Sequence, residues 1–419
     1  MAIDPEELKH RRERRQQQRQ ARNRRTVVKL VIAGVVVALI AVLMVFLLRP
    51  KAPATPDATL QTQVTGQTAP SQSPAEGTTV IHLAAAGDLN ITEAVVNAGG
   101  TNFDYTSTFL DIAHLLADAD ITTVNLEGNL CGAPFGTDRS APPTMMQALQ
   151  RAGVDLVQLA NSYSIYKGMD GLAQTIAGVR NAGMDTLGAY ATAAEAKAGK
   201  GYTIRNIKGI RVAFVAFTKG MDGMALPPGN NGCVNLLYTD YASDYQEVDT
   251  EGITKILDAV AKESPDLTVA LLHWGSEYND TISASQEQIC TLMQEKGVDA
   301  IIGTHSHYVH KMTLDPETGN FVAYCLGDFL GDASQAGSEY SVILDLEITK
   351  DNNSGTTKVT NYSYTPIFIC AEKDRPLRLL RIGEAIAAYE SGYLDKVSAE
   401  TYESMKYALK RIEARIAGE

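Results

Sequence analysis

The chain has 419 residues, 45% of them apolar and 21% charged, with one Trp, five Cys and a net charge of −12. That length supplies core for two or three domains, and the apolar share excludes a wholly disordered or fibrous chain. The net charge argues against nucleic acid as a partner, but it is unevenly divided: residues 1–50 hold eleven Lys/Arg against four Asp/Glu (+7), and the remainder holds 26 against 45 (−19).

Residues 1–25 form a basic, Gln-rich segment with nine Lys/Arg between Lys9 and Arg25. Leu30–Leu48 then runs nineteen residues without a charge or a proline, which as a helix rises about 28 Å, close to the thickness of bilayer hydrocarbon. Residues 26–49 therefore read as a transmembrane helix. A cleaved signal peptide would have a shorter apolar run ending in small residues, and a core helix would lack the basic flank. That flank places the N-terminus in the cytoplasm and everything after residue 50 outside the cell, as a single-pass membrane protein. The same charges are suited to anionic lipid, a role secondary to setting topology. Residues 50–79, rich in Pro, Thr, Gln and Ser with no hydrophobic period, read as a solvated linker.

From residue 80 to 378, apolar runs of strand length alternate with amphipathic stretches. Strands are expected at Val80–Ala86, Ile121–Leu126, Val154–Ala160, Arg211–Phe217, Leu267–His273, Ala300–Gly303, Phe321–Leu326 and Tyr340–Ile348, and helices at Pro143–Gly153, Gly168–Gly183, Thr250–Ser264 and Ser283–Gly297. Such alternation implies an α/β domain with largely buried strands. Residues 379–419 read as a C-terminal helical extension with Ser398 as an N-cap. All five cysteines follow the expected span, where disulfides persist. Cys131 and Cys233, in loop-like and glycine-containing contexts, are the expected pair, and no C-x-x-C spacing suggests a structural zinc site.

Four of the seven histidines fall within 38 residues: His273, His305, His307 and His310. His273 ends one expected strand and His305-Ser306-His307 follows another, and Asp88 and Glu127 close the first two strands. Open α/β sheets collect ligands at such carboxyl ends. Neutral imidazole with carboxylate suits Mn, Zn or Fe, and a pair of such ions suits phosphoester hydrolysis. Taken singly, Asp88 is an ordinary helix N-cap, Glu127 a loop acid, Trp274 a core anchor, and each His a hydrogen-bonded residue; the order and spacing of the set argue otherwise.

The segments AAAGDLN (84–90), VNLEGNL (124–130), LANSYSIYKGMDGL (159–172), LLHWGSEYN (271–279), IIGTHSHYVH (301–310) and YCLGDFL (324–330) resemble the capsule synthesis protein A family. That family is associated with poly-γ-glutamate capsule production in bacteria and belongs to the calcineurin-like metallophosphatase superfamily. The resemblance implies a four-layer sandwich, two mixed sheets flanked by helices, with a metal centre of one or two ions at one edge. By motif, Asp88, Glu127, His273, His305 and His307 match the metal positions, and Trp274, Glu277 and Tyr278 the motif after the first His. The family's Ala-Asn-Asn-His reads here Ala160-Asn161-Ser162-Tyr163, with Tyr166 in place of a following Asp, and Asp328 stands where the family commonly has Asn. The usual metal-binding Asn and proton-donating His are thus replaced. Asn161 is left as the candidate sixth ligand, and Tyr163 and Glu277 as the candidate catalytic residues.

Two functions follow as expectations. One is a metal-dependent hydrolase of a phosphoester or polymer bond, taking part in capsule polymer biosynthesis. The other is a non-catalytic binding or assembly module that serves capsule synthase subunits. The −19 balance outside the membrane opposes long-range attraction to an anionic capsule polymer unless a local feature draws it in.

Overall fold

Most of the apolar runs do become strands, because their residues find cover on both faces. The computed structural model describes residues 77–393 and 397–419. Among them, strands run β1 Thr78–Asn90, β2 Ile121–Glu127, β3 Leu156–Gln158, β4 Asp185–Leu187, β5 Tyr202–Ile207, β6 Ile210–Thr218, β7 Leu267–His273, β8 Ala300–Thr304, β9 Met312–Leu314, β10 Phe321–Ala323, β11 Asp328–Leu330, β12 Tyr340–Asp351, β13 Thr357–Cys370 and β14 Arg378–Arg381. They form two mixed sheets. The first is ordered β14-β13-β12-β1-β2-β3-β4, with β11 also paired to β1, and the second β5-β6-β7-β8-β10-β9. Strands β1 to β4 are parallel, as are β6, β7, β8 and β10, while β12 to β14 and the edges β5 and β9 are antiparallel to their neighbours.

Alternation along β6 shows how the layers stack. Val212, Phe214 and Ala216 join the main core with Leu83 and Val124 of the first sheet. Ala213, Val215 and Phe217 point the other way, into a second core made with Ile253, Leu257 and Val260 of the helix Thr250–Lys262 and Ile289 and Met293 of the helix Ala284–Glu295. Each of the larger of these side chains, fully buried, contributes about 1.5–3 kcal/mol. The second helix starts where its sequence directs: Ser283 Oγ accepts from the Gln286 backbone N–H, and the Gln286 side chain accepts from the Ser283 N–H, a reciprocal cap. The two-sheet α/β arrangement implied by the family resemblance is therefore what the chain adopts.

Three expectations need correction. The stretch 379–419 is not a helical extension set apart at residue 378, because β14 spans that point and pairs with β13. Its helices Ile382–Glu390 and Ala399–Ala417 pack on the first sheet, burying Met405, Ala408 and Ile412. The expected linker end at residue 79 also lies inside a strand, since β1 begins at Thr78. All five cysteines carry free, buried thiols, so Cys131 and Cys233 do not pair. Cys131 packs against Gly171 of the helix Gly168–Asn181, whereas Cys233 adjoins the bridge between Ala189 and Val234. No described helix is long and apolar enough to cross a membrane; the expected span at 26–49 lies outside the described residues.

Candidate metal centre

The site is assembled by strand ends from both sheets. Asp88 of β1 stands beside Asn125 of β2 and Asp328 of β11, and His273 of β7 beside Thr304 of β8. Close backbone approach makes this possible. At Gly87 a methyl group would overlap the Gly327 carbonyl oxygen, and at Gly303 it would strike the Tyr324 carbonyl and the Trp274 indole nitrogen. Asp88 links the two sheets: Oδ1 accepts from Asn125 Nδ2 at 2.6 Å, and Oδ2 accepts from the His305 backbone N–H at 2.8 Å.

Two groups of three side chains result, Glu127 with His273 and His305, and Asp88 with His307 and Asp328, all six buried and with ligand atoms within 4.8 Å of one another in each group. They adjoin: His273 Nδ1 lies 3.8 Å from Asp88 Oδ1, and the His305 and His307 ring centroids are 6.4 Å apart. His307 Nδ1 donates to Asp328 Oδ1 at 2.7 Å, which fixes the ring.

Electrostatics favour a cation here. Burial first, then the charge of Glu127, raises Asp88 to about 7, and burial likewise raises Glu127 to about 7 and Asp328 to about 6. Burial lowers His273 to about 4 and His305 well below its ordinary value, keeping both imidazoles neutral. Burial opposes the charge of His307 too, but the hydrogen bond to Asp328 and the charges of Asp328, Glu127 and Asp88 outweigh it and raise it to about 10. Three carboxyl groups in one dry space resist ionising together. Glu127 Oε1 is buried without a hydrogen-bond partner even though His273 Nε2 is 2.8 Å away. An orphaned carboxylate oxygen among neutral imidazoles is costly in itself and fits the donor set of a divalent metal.

A family model, bacterial capsule synthesis protein, matches residues 82–333. The chain belongs to that family. Among relatives, it is 25% identical to the capsule biosynthesis protein CapA of Bacillus anthracis over 338 residues, 77% of this chain and 76% of that one. It is 24% identical to the PGA biosynthesis protein CapA of Bacillus subtilis strain 168 over 219 residues, about half of each chain (51% and 52%). Among solved structures, the calcineurin-like phosphoesterase YfkN of Bacillus subtilis aligns at 15% identity and a TM-score of 0.41, over 81% of this chain and 98% of that one.

Within this capsule synthesis protein, five of the six expected ligands meet: Asp88, Glu127, His273, His305 and His307. Asn161 does not join them. Its amide nitrogen donates to Asn125 Oδ1 and the Leu126 carbonyl, and its oxygen accepts from the Tyr163 N–H, so both ends are committed to holding the loop. Ser162 takes the central place, with Oγ 3.0 Å from His273 Nε2 and 3.5 Å from His305 Nδ1. Tyr163 accepts from Arg139 at 2.8 Å, and burial raises its phenol above the ordinary value. Glu277 is exposed on the loop after β7, near enough for its charge to act on Glu127 and Tyr163. Trp274 is a core anchor, stacked on Tyr324 and donating to its carbonyl at 2.9 Å.

Three side chains at the site stand outside the expected set. Asp328, where the family commonly has Asn, completes the second group. Lys219 directly follows β6, donates to the Gly275 carbonyl at 2.8 Å, and its charge reaches His273 and His305; its place at a strand's carboxyl end was the available signal. Arg139, in the loop after β2, covers the Tyr163 ring at 4.2 Å and bonds Asn90 and the Ile91 carbonyl. No sequence pattern marks it.

Proposed function

We propose that this protein is a metal-dependent hydrolase of the cell envelope that acts on a phosphoester or polymer bond during capsule or poly-γ-glutamate-type polymer synthesis. The pair of adjoining, buried His–carboxylate groups supports this reading most. Glu127, His273 and His305 would hold one divalent ion, and Asp88, His307 and Asp328 a second; bound there, such ions activate water and polarise the scissile bond. Of the chain's own groups, Lys219 and Arg139 supply fixed positive charge for an anionic substrate, which offsets the acidic balance of the ectodomain locally. Tyr163 is the nearest counterpart of the family's proton-donating His, and it is a weak acid. The relatives' names support the polymer setting, and the nineteen-residue apolar run supports a single-span anchor with the catalytic domain outside.

The test is hydrolysis of p-nitrophenyl phosphate and of poly-γ-glutamate by the full-length protein with Mn²⁺ or Zn²⁺. His273→Ala and His307→Ala should each lower metal-dependent turnover at least ~100-fold, on the scale of losing a transition-state charge contact. Turnover that is equal in these variants, or unaffected by chelation, contradicts the reading. Ser162 and Tyr163 favour a second reading, a binding or assembly module for synthase subunits. It predicts that a cell carrying His305→Ala and His307→Ala makes as much polymer as one carrying the unaltered chain.

A further inference from the structure

We infer that Arg415, on the last helix of the chain, is a positioning residue for the His305–His310 loop and through it for the Asp88–His307–Asp328 group. The inference rests on the metal-centre reading for its consequence, though not for its geometry. The loop places two non-glycine residues in the left-handed region, His305 at φ 94° and His307 at φ 64°, and Tyr278 opposite them stands at φ 52°. Such backbone persists only where its surroundings hold it.

From the inside, Tyr278 N donates to the Ser306 carbonyl at 2.9 Å, and His310 N to the Cys325 carbonyl at 2.9 Å. His310 Nε2 carries the ring proton, because the Asn279 carbonyl 2.9 Å away can only accept; the same nitrogen is 2.9 Å from Ser306 Oγ. His310, the fourth histidine of the cluster, thus ties two loops together.

From the outside, Arg415 closes the stack. Its guanidinium lies over the Tyr308 ring at 4.5 Å, Tyr308 meets Tyr278 edge-on at 6.1 Å, and Tyr278 stacks on His307 at 4.7 Å and 20°. Arg415 also reaches Asp280 at 3.8 Å and donates to Tyr340 Oη at 3.4 Å. One side chain so joins the loop after β7, the loop after β8 and β12. It is only 10% exposed, and its Nε is buried without a partner, a cost that a solvated surface arginine does not carry. The helix that bears it, Ala399–Ala417, lies beyond the span 82–333 matched by the family model. A lysine would keep the charge but lose the planar fork.

The full-length Arg415→Ala and Arg415→Lys proteins should be compared with the unaltered chain by amide hydrogen exchange and by Mn²⁺ titration. Arg415→Ala is expected to keep its far-UV circular dichroism and to exchange at least ~10-fold faster across residues 276–280 and 305–310, the scale of losing one buried anchoring contact. The Asp88–His307–Asp328 ion should be lost first, taking Mn²⁺ stoichiometry from two toward one, because the stack that Arg415 closes ends on His307 and not on His305, whose backbone N–H is held separately by Asp88. Arg415→Lys should fall between, and it decides the matter if Arg415→Ala does not fold. Unchanged exchange in both segments overturns the inference whether or not Mn²⁺ binds, and so does equal loss of both ions. An unaltered chain that binds no Mn²⁺, while Arg415→Ala still loosens the two loops, refutes the metal reading and leaves the positioning role standing.

Discussion

The two histidines that bracket Ser162 and the one that pairs with Asp328 sit in opposite protonation states, and that contrast governs how the site handles protons. His273 and His305 are neutral, whereas His307 is held at about 10. A metal ion arriving at the second group must displace the His307 proton, and at the two groups together it competes with protons on Asp88 and Glu127, each raised to about 7. Apparent affinity should therefore climb from about pH 6 at both groups and go on climbing toward pH 10 at the second, with proton release measurable by titration calorimetry in buffers of different ionisation enthalpy. Without metal, the sign for His307 is opposite: a folded value above the unfolded one stabilises fully below about pH 6.5 and fades as pH rises toward 10. Melting temperature of the metal-free protein should fall across that interval, and His307→Gln should flatten the fall. Because the Tyr163 phenol is a poor acid, hydrolysis should depend steeply on the leaving group. Across a series of aryl phosphates, each rise of one unit in leaving-group pKa should slow turnover several-fold, about the sensitivity of a departure without acid assistance; a flat series would show that some residue does donate the proton.

Elements were legible in the sequence in proportion to how fully they are buried. Strands β6, β7 and β8 are covered on both faces and read as unbroken apolar runs. Strand β13 does not show in the sequence because Thr357–Tyr364 is mostly polar with its apolar side chains out of strict alternation, and β5 is interrupted likewise by Thr203, Arg205 and Asn206. Strand β11 has three residues and pairs with β1 alone, too short to show a period, yet it brings Asp328 to the site. Helix starts were clearer, since Ser283 and Ser398 cap the helices expected at them. Ser283→Ala should cost about 1 kcal/mol in denaturant unfolding. Gly87→Ala should cost more, about 3 kcal/mol, because β1 and β11 cannot both stay in place around a methyl group. It should also weaken Mn²⁺ binding, whereas Ser283→Ala should leave binding unchanged.

On the scale of the whole molecule, the basic flank of the apolar run and the uneven charge lead to the expectation of an outward-facing acidic domain, and the family resemblance to its two-sheet architecture. What stayed hidden is that the chain's last forty residues are part of that architecture. Strand β14 and the terminal helices look like an appendage in sequence because their apolar residues are spaced for one covered face, and it takes the edge of the first sheet, β12 and β13, to cover it. The cysteines show a related limit: Cys131 and Cys233 do lie in loops, but each is buried against its own helix or bridge and the two do not pair. All five thiols should resist modification in the native protein and react on unfolding, with no change in mass on reduction. The central claim, that this fold holds paired metal sites, is tested most directly by elemental analysis of the full-length protein after exposure to Mn²⁺ and removal of free ion. Two ions per chain are predicted, falling in His273→Ala and His307→Ala; a protein that retains none contradicts the account.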